Sequence, residues 1–152
     1  MRNIVPVTRS NVPIVDETTG GVSRAWYMFF QSLYQNSLAY VLGTGGQITQ
    51  TTSKSTPIAT NVICGQITMD ASSLASNTSV SFSMVNDNIS ATDIVMVNAA
   101  NVAGAAPTAN TYIVTCDAVL AGECRIQVRN ISGSAAAQAL VLNFAIIKAV
   151  NA

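Results

Sequence analysis

The sequence predicts a mainly β protein: an N-terminal extended arm and one α-helix, followed by an antiparallel β-sandwich of jelly-roll-like character. Three observations carry this expectation. Six of the nine Phe, Tyr and Trp residues fall in one stretch, AWYMFFQSLYQNSLAYVLG, residues 25–43. From residue 58 onward the apolar period becomes two, the repeat of a half-buried strand. Turn signals (NDN, AGAAPTAN and NISGSA) then divide the chain into short runs that double back on one another.

Residues 1–22 form the arm. Its apolar residues are isolated between Pro6, Pro13 and a TTGG turn, and proline holds itself and its predecessor in extended geometry. Such a segment cannot build a core and is expected to order along a partner. Ser23 is the N-cap candidate for a helix over 23–42, with Gly43 as its stop. At 100° per residue Trp26, Phe29, Phe30, Leu33, Tyr40 and Val41 share one side, while Tyr27, Tyr34, Leu38 and Leu42 continue the apolar surface around the cylinder. The apolar arc spans roughly 220°, against the ~100°-wide stripe of an ordinary surface helix. Only Ser32, Gln35 and Asn36 line a polar strip. A helix of this kind needs cover from two directions, so neighbouring molecules are expected to supply it.

Residues 43–57, GTGGQITQTTSKSTP, read as a linker or weak strand ended by Pro57. The sandwich domain is assigned to 58–152. In SVSFSMV, Val80, Phe82 and Met84 alternate with Ser79, Ser81 and Ser83; in RIQVRN, Ile126 and Val128 alternate with Arg125, Gln127 and Arg129. Weaker alternation marks VICGQITM and TYIVTCD. IVMV (94–97) and LVLNFAII (140–147) are apolar on both faces, and one sandwich covers only one of them. A subunit interface would cover the other.

Charged residues make up 9% of the chain and the formal net charge is zero, against about 25% charged in ordinary globular proteins. Solitary soluble proteins keep charged surfaces and a net charge away from zero, so much of this surface is expected to be covered in an assembly. The seven basic residues are scattered, which excludes a phosphate-binding patch and argues against nucleic acid. No apolar run approaches the ~20 residues that span a bilayer, and MRNIVPVTRSNVPIVDETTGG lacks the uninterrupted apolar core of a signal peptide. Synthesis is therefore expected in the cytoplasm, without membrane insertion. There, Cys64, Cys116 and Cys124 are expected to act as small buried hydrophobes, with Cys116 and Cys124 close across a hairpin at AVLAGE.

Catalytic, cofactor and metal sites are expected to be absent. The chain has no histidine, the commonest general base and metal ligand. Of its seven acidic residues only Asp16 and Glu17 are adjacent. Asp87 and Asp93 flank a loop, where turn formation is the simpler role. VNDNISATD is oxygen-rich but lacks the ligand spacing and closing Glu of a calcium loop.

PIVDETTGGVSRAWYMFFQSLYQ resembles the N-terminal anchor of bacteriophage tail and head-fibre proteins, through Pro13, Ile14, Val15, Asp16, Gly20, Gly21, Trp26, Phe29, Phe30 and Leu33. Three later stretches, SSLASNTSVSFSMVNDNISATDIVMVN, TYIVTCDAVLAGECRIQVRNIS and ALVLNFAIIKAV, are similar to a small β module of phage structural proteins. The resemblance implies a non-enzymatic virion protein, of capsid decoration (cement) or head-fibre type, on the surface of a particle assembled in the host cytoplasm. The absence of a repetitive shaft or enzymatic spike after the anchor departs from long tail fibres. Implied partners are the chain itself, as a homotrimer, and the major capsid protein or another virion component. Pro13, Val15, Trp26, Phe29, Phe30 and Leu33 would anchor, and Tyr27, Tyr34, Leu38 and Val41 would self-associate. The alternative is a host-receptor or glycan-binding tail-fibre or tail-tip module, but its loops offer only Tyr112 as a ring to stack on sugars.

Overall fold

Strand periodicity in the second half of the chain resolves into two stacked sheets. The structure is a computed structural model that describes residues 12–37, 40, 44–102, 107 and 111–149, with the backbone alone for 34–37. It divides into two units, residues 1–41 and 42–152.

In the first unit, α1 (Arg24–Ser37) is the helix. Ser23 occupies the N-cap position, since its carbonyl accepts the first helical bond from the Tyr27 N–H (2.9 Å). Its hydroxyl, however, donates to the Pro13 carbonyl at 2.7 Å rather than capping the helix. The expected helix end at Leu42–Gly43 lies outside the described residues, as do Leu38 and Val41. Residues 12–22 depart from a straight arm. They fold back through an antiparallel bridge between Val15 and Val22, closed by mutual backbone bonds of Asp16 with Gly20 and Gly21, both 2.8 Å. The Asp16 carboxylate accepts from the Thr18 and Thr19 N–H groups at 2.9 and 3.1 Å. These bonds hold its carboxyl below the usual range. Gly20 supplies the left-handed residue (φ 70°) that the turn requires.

The second unit is a sandwich of two four-stranded sheets. One has the order β1 (Gly46–Thr49), β3 (Cys64–Thr68), β8 (Leu140–Ile147), β5 (Ile94–Val102); the other β2 (Ile58–Ala59), β4 (Ser79–Val85), β7 (Glu123–Asn130), β6 (Tyr112–Leu120). The mainly β sandwich expectation is met, and the six anticipated strands are β3 to β8. The short edge strand β1 falls within 43–57, where the sequence allows a linker or weak strand, and β2 has no counterpart among the expected strands. Each runs parallel to its neighbour, β1 to β3 and β2 to β4, while all other pairings are antiparallel.

Alternation fixes the core between the sheets. Val80, Phe82 and Met84 of β4 face inward, beside Cys124, Ile126 and Val128 of β7 and opposite Ile67 of β3 and Leu142, Phe144 and Ile146 of β8. Ile67, Met84, Ile126, Leu142 and Ile146 are fully buried, and each buried aliphatic of this size contributes about 1.5–3 kcal/mol.

Two buried polar side chains hold the loops. Lys54, which the sequence places in a polar linker, is buried. Its ammonium donates to the carbonyls of Asp70 and of Gln138, the latter at 2.7 Å, and burial pulls its pKa down. Gln50, also buried, donates to the Thr56 carbonyl at 2.7 Å.

The β1–β3 pairing depends on Gly65, which lies opposite Gly46 in the register. A Cβ at Gly65 would sit 2.2 Å from the Gly46 carbonyl oxygen, a main-chain atom that cannot swing aside. Gly65→Ala is therefore expected to push β1 off the sheet edge and to destabilise the sandwich by about 2–3 kcal/mol, read from the shift of the urea unfolding midpoint.

Candidate interaction surfaces

The aromatic cluster of α1 forms because residues three and four apart share a helix face. Trp26 meets Phe29 edge-on (centroids 5.8 Å, 90°) and lies tilted on Phe30 at 5.7 Å; Phe29 and Phe30 close the triangle at 5.7 Å. The Trp26 indole N–H donates to the Val12 carbonyl at 2.9 Å. Three consecutive carbonyls of the turned segment are thereby tied to the helix start: Val12 by Trp26, Pro13 by the Ser23 hydroxyl and Ile14 by the Ser23 N–H. The Trp-to-carbonyl bond explains why an indole stands here, since a phenyl ring has no donor.

Around this support the surface is apolar and open. Tyr27 and Leu33 are 58% and 56% exposed, and Met28, Phe30, Ile14, Val15 and Val22 are exposed as well. Of the expected anchor residues, Pro13, Val15, Phe30 and Leu33 are exposed, while Trp26 and Phe29 are half-buried. Of the expected self-association residues, Tyr27 is exposed; the side chain of Tyr34, with Leu38 and Val41, lies outside the described residues.

The sandwich carries a second apolar surface. Its two sheets differ in what they present outward. The outer face of the β4–β7–β6 sheet bears Ser79, Ser81, Ser83, Thr115, Gln127, the exposed Ile113 and the charged Arg125, Arg129 and Asp117, with Arg125 and Asp117 joined by a two-pronged ion pair (2.7 and 2.9 Å). On the opposite sheet, β5 and β8 are neighbours, so the two doubly apolar strands coincide. Ile94 lies opposite Ile147, and Met96 opposite Ala145, which also pairs with Cys64. Ile94 and Met96 are 58% and 60% exposed. The next row is an amide ladder of Asn98, Asn143 and Gln66, in which Gln66 donates to Asn143 at 3.0 Å. No described residue on this outer face, from Cys64 to Thr68, Val141 to Ile147 and Ile94 to Asn98, bears a charge. Periodicity revealed that these strands are apolar on both faces. Their adjacency comes from strand order, which local pattern does not encode.

The aspartates are already engaged. Asp70 accepts from the Ser72 N–H at 2.7 Å and Asp87 from the Asn61 amide at 3.1 Å. Asp93 is buried and bonds the Lys148 ammonium at 2.5 Å and the Ser90 and Ala149 N–H groups at 2.8 and 3.2 Å. Burial alone would raise the Asp93 pKa, but these donors outweigh it and the net shift is downward. Asp87 and Asp93 thus hold separate contacts. In VNDNISATD, the Asn86 and Asn88 amides donate to the Val62 and Asn61 carbonyls, both at 2.7 Å, so these side chains pin the loop. An open depression of ≈ 430 Å³ is lined by Thr111, Ser132, Ser134, Gln138 and the alanines between them. Its walls carry no carboxylate, thiol or aromatic ring.

No protein-family model, curated protein or solved structure matches this chain. Among the described residues, no helix is long and apolar enough to cross a membrane, and no group of three or more His, Cys, Asp or Glu residues could hold a metal ion.

Proposed function

We propose that this chain is a non-enzymatic structural protein of a bacteriophage particle, a capsid decoration or head-fibre protein on the virion surface. It associates with copies of itself, as a trimer, and attaches to the major capsid protein or another virion component through residues 1–42. The observation that carries this reading is that each unit bears an exposed apolar surface: the helix face around Tyr27, Phe30 and Leu33, and the uncharged outer β5–β8 face around Ile94 and Met96. Apolar patches of this kind on soluble proteins mark contact surfaces. Exposed aromatics on a rigid support are the residue type that concentrates interface energy. The Trp26–Val12 and Ser23–Pro13 bonds provide that support, so little ordering entropy is left to lose on docking.

The first unit grips the particle through the face around Phe30 and Leu33 and meets neighbouring copies at Tyr27, and the uncharged sheet face packs against those copies as well. Deleting residues 1–42 is expected to abolish incorporation into particles, scored by protein composition of purified virions. Unchanged incorporation of the truncated chain would refute the attachment role.

A further inference from the structure

We propose that Cys116 and Cys124 form a redox clasp, a dithiol that a small-molecule disulfide converts into an internal bond across the β6–β7 hairpin, with Cys64 taking no part. The inference stands on the sandwich alone and does not depend on what the protein attaches to. All three cysteines are reduced in the structure, with Cys124 buried and Cys116 and Cys64 half-buried. β6 and β7 are joined by a tight turn at Ala121 and Gly122, where Gly122 takes the left-handed conformation (φ 86°). In the ladder Cys116 lies opposite Ile126, which places it diagonal to Cys124. Strand alternation turns both side chains to the inward face, where each thiol shifts the pKa of the other.

Diagonal partners in an antiparallel pair sit about 7–8 Å apart between Cα atoms, just beyond what a disulfide bridges without backbone movement. The register supplies the necessary give. Between Asp117 and Leu120 the ladder is irregular, so that Ala118 and Val119 together face Cys124, and Ala118 adopts a positive φ of 49°. A bulge interrupts the ladder bonds that would otherwise resist drawing the strands together. β6 is also the edge of its sheet, so only β7 constrains it within the sheet.

The two thiols have unequal roles. The neighbouring Cys124 thiol favours the thiolate of Cys116, whose pKa is lowered; Cys124, the more buried, is held protonated by that thiolate and by burial. Cys116 thiolate therefore attacks one sulfur of the small disulfide, forming a mixed disulfide and releasing one small thiol. Cys124 then loses its proton to solvent and attacks the Cys116 sulfur, forming the internal bond and releasing the second small thiol. Two electrons pass from the protein dithiol to the reagent, and one small disulfide becomes two small thiols.

The test is incubation of the folded full-length chain with oxidised glutathione at neutral pH. The expected product is about 2 Da lighter, retains one alkylatable thiol, Cys64, and yields a peptide linking Cys116 to Cys124. Its melting temperature is expected to rise by about 5 °C or more. Cys116→Ser and Cys124→Ser should each prevent the mass loss, and Cys64→Ser should retain it. Three alkylatable thiols after equilibration, a stable glutathione adduct without an internal bond, or a link through Cys64 would overturn the inference.

Discussion

Phe30→Asp combined with Leu33→Asp is expected to reduce particle attachment by about 100-fold or more, without changing the melting of the sandwich. Both side chains are exposed and belong to the first unit, separate from the core of the second. Neither substitution touches the sandwich core, and the ring contacts that Phe30 loses with Trp26 and Phe29 are confined to the first unit. In a docked complex each carboxylate would have to leave water for an apolar pocket, which costs several kcal/mol unless it is paired. Two such groups exceed the ~2.7 kcal/mol that a 100-fold loss represents. Tyr27→Asp separates the two proposed roles, because Tyr27 meets neighbouring copies in the proposed assembly. It should weaken the oligomer more than the attachment. The pair of measurements is virion composition for attachment and light scattering for assembly. Equal incorporation of the double variant and the parent would show that this helix face is not the anchor.

The second large effect is on stability. Asp93→Ala is expected to destabilise the sandwich by about 3 kcal/mol at neutral pH. The carboxylate side chain is 1% exposed and is the shared acceptor for Lys148, Ser90 and Ala149. Removing it leaves the Ser90 and Ala149 N–H groups without their acceptor and releases the chain just beyond β8. The pH dependence has a definite sign. The folded-state pKa of Asp93 lies below its ordinary value of about 4. Its contribution is therefore fully present above that ordinary value and is lost as pH falls through the lower folded value. The parent and Asp93→Ala proteins should differ most from pH 5 to 7 and converge below about pH 4. Urea unfolding across this range measures the difference. Asp117→Asn is the control: it breaks an ion pair whose side chains are about half exposed, and solvent screens such pairs, so stability should hardly move. A gap between the parent and Asp93→Ala that stayed constant from pH 7 to pH 3 would show that the charge on Asp93 contributes nothing.

Much of the fold was legible because side-chain alternation is local. Phe82 and Met84 inward with Ser81 and Ser83 outward, or Ile126 and Val128 between Arg125, Gln127 and Arg129, follow from a period of two. The two-residue β2 is too short to show a period. β1 shows an alternation only after Gly46 pairs with Gly65, and that pairing rests on chain approach rather than composition. Lys54 reads as a linker charge because the carbonyl that satisfies it belongs to Gln138, far along the chain. The turn at residues 12–22 was hidden for a related reason. Its TTGG signal was visible, but the bonds folding the segment onto the helix start involve Trp26 and Ser23, residues read only for their helical roles.

The candidate surfaces were legible in kind and incomplete in place. An over-wide apolar helix and two strands apolar on both faces both signal missing cover. That β5 and β8 pool their outward residues into one uncharged face, with the charges gathered on the opposite sheet, emerges only once strand order is known.

Both surfaces rest on one physical claim, that uncharged apolar area exposed on this chain is shielded by other molecules. The mass of the purified, untagged protein in solution, measured by light scattering over a wide concentration range, tests it most directly. The expected result is an oligomer, three times the 15.8 kDa chain mass, that dissociates when Ile94 and Met96 are replaced by aspartate. A soluble species that stays at the single-chain mass at the highest concentrations would contradict it.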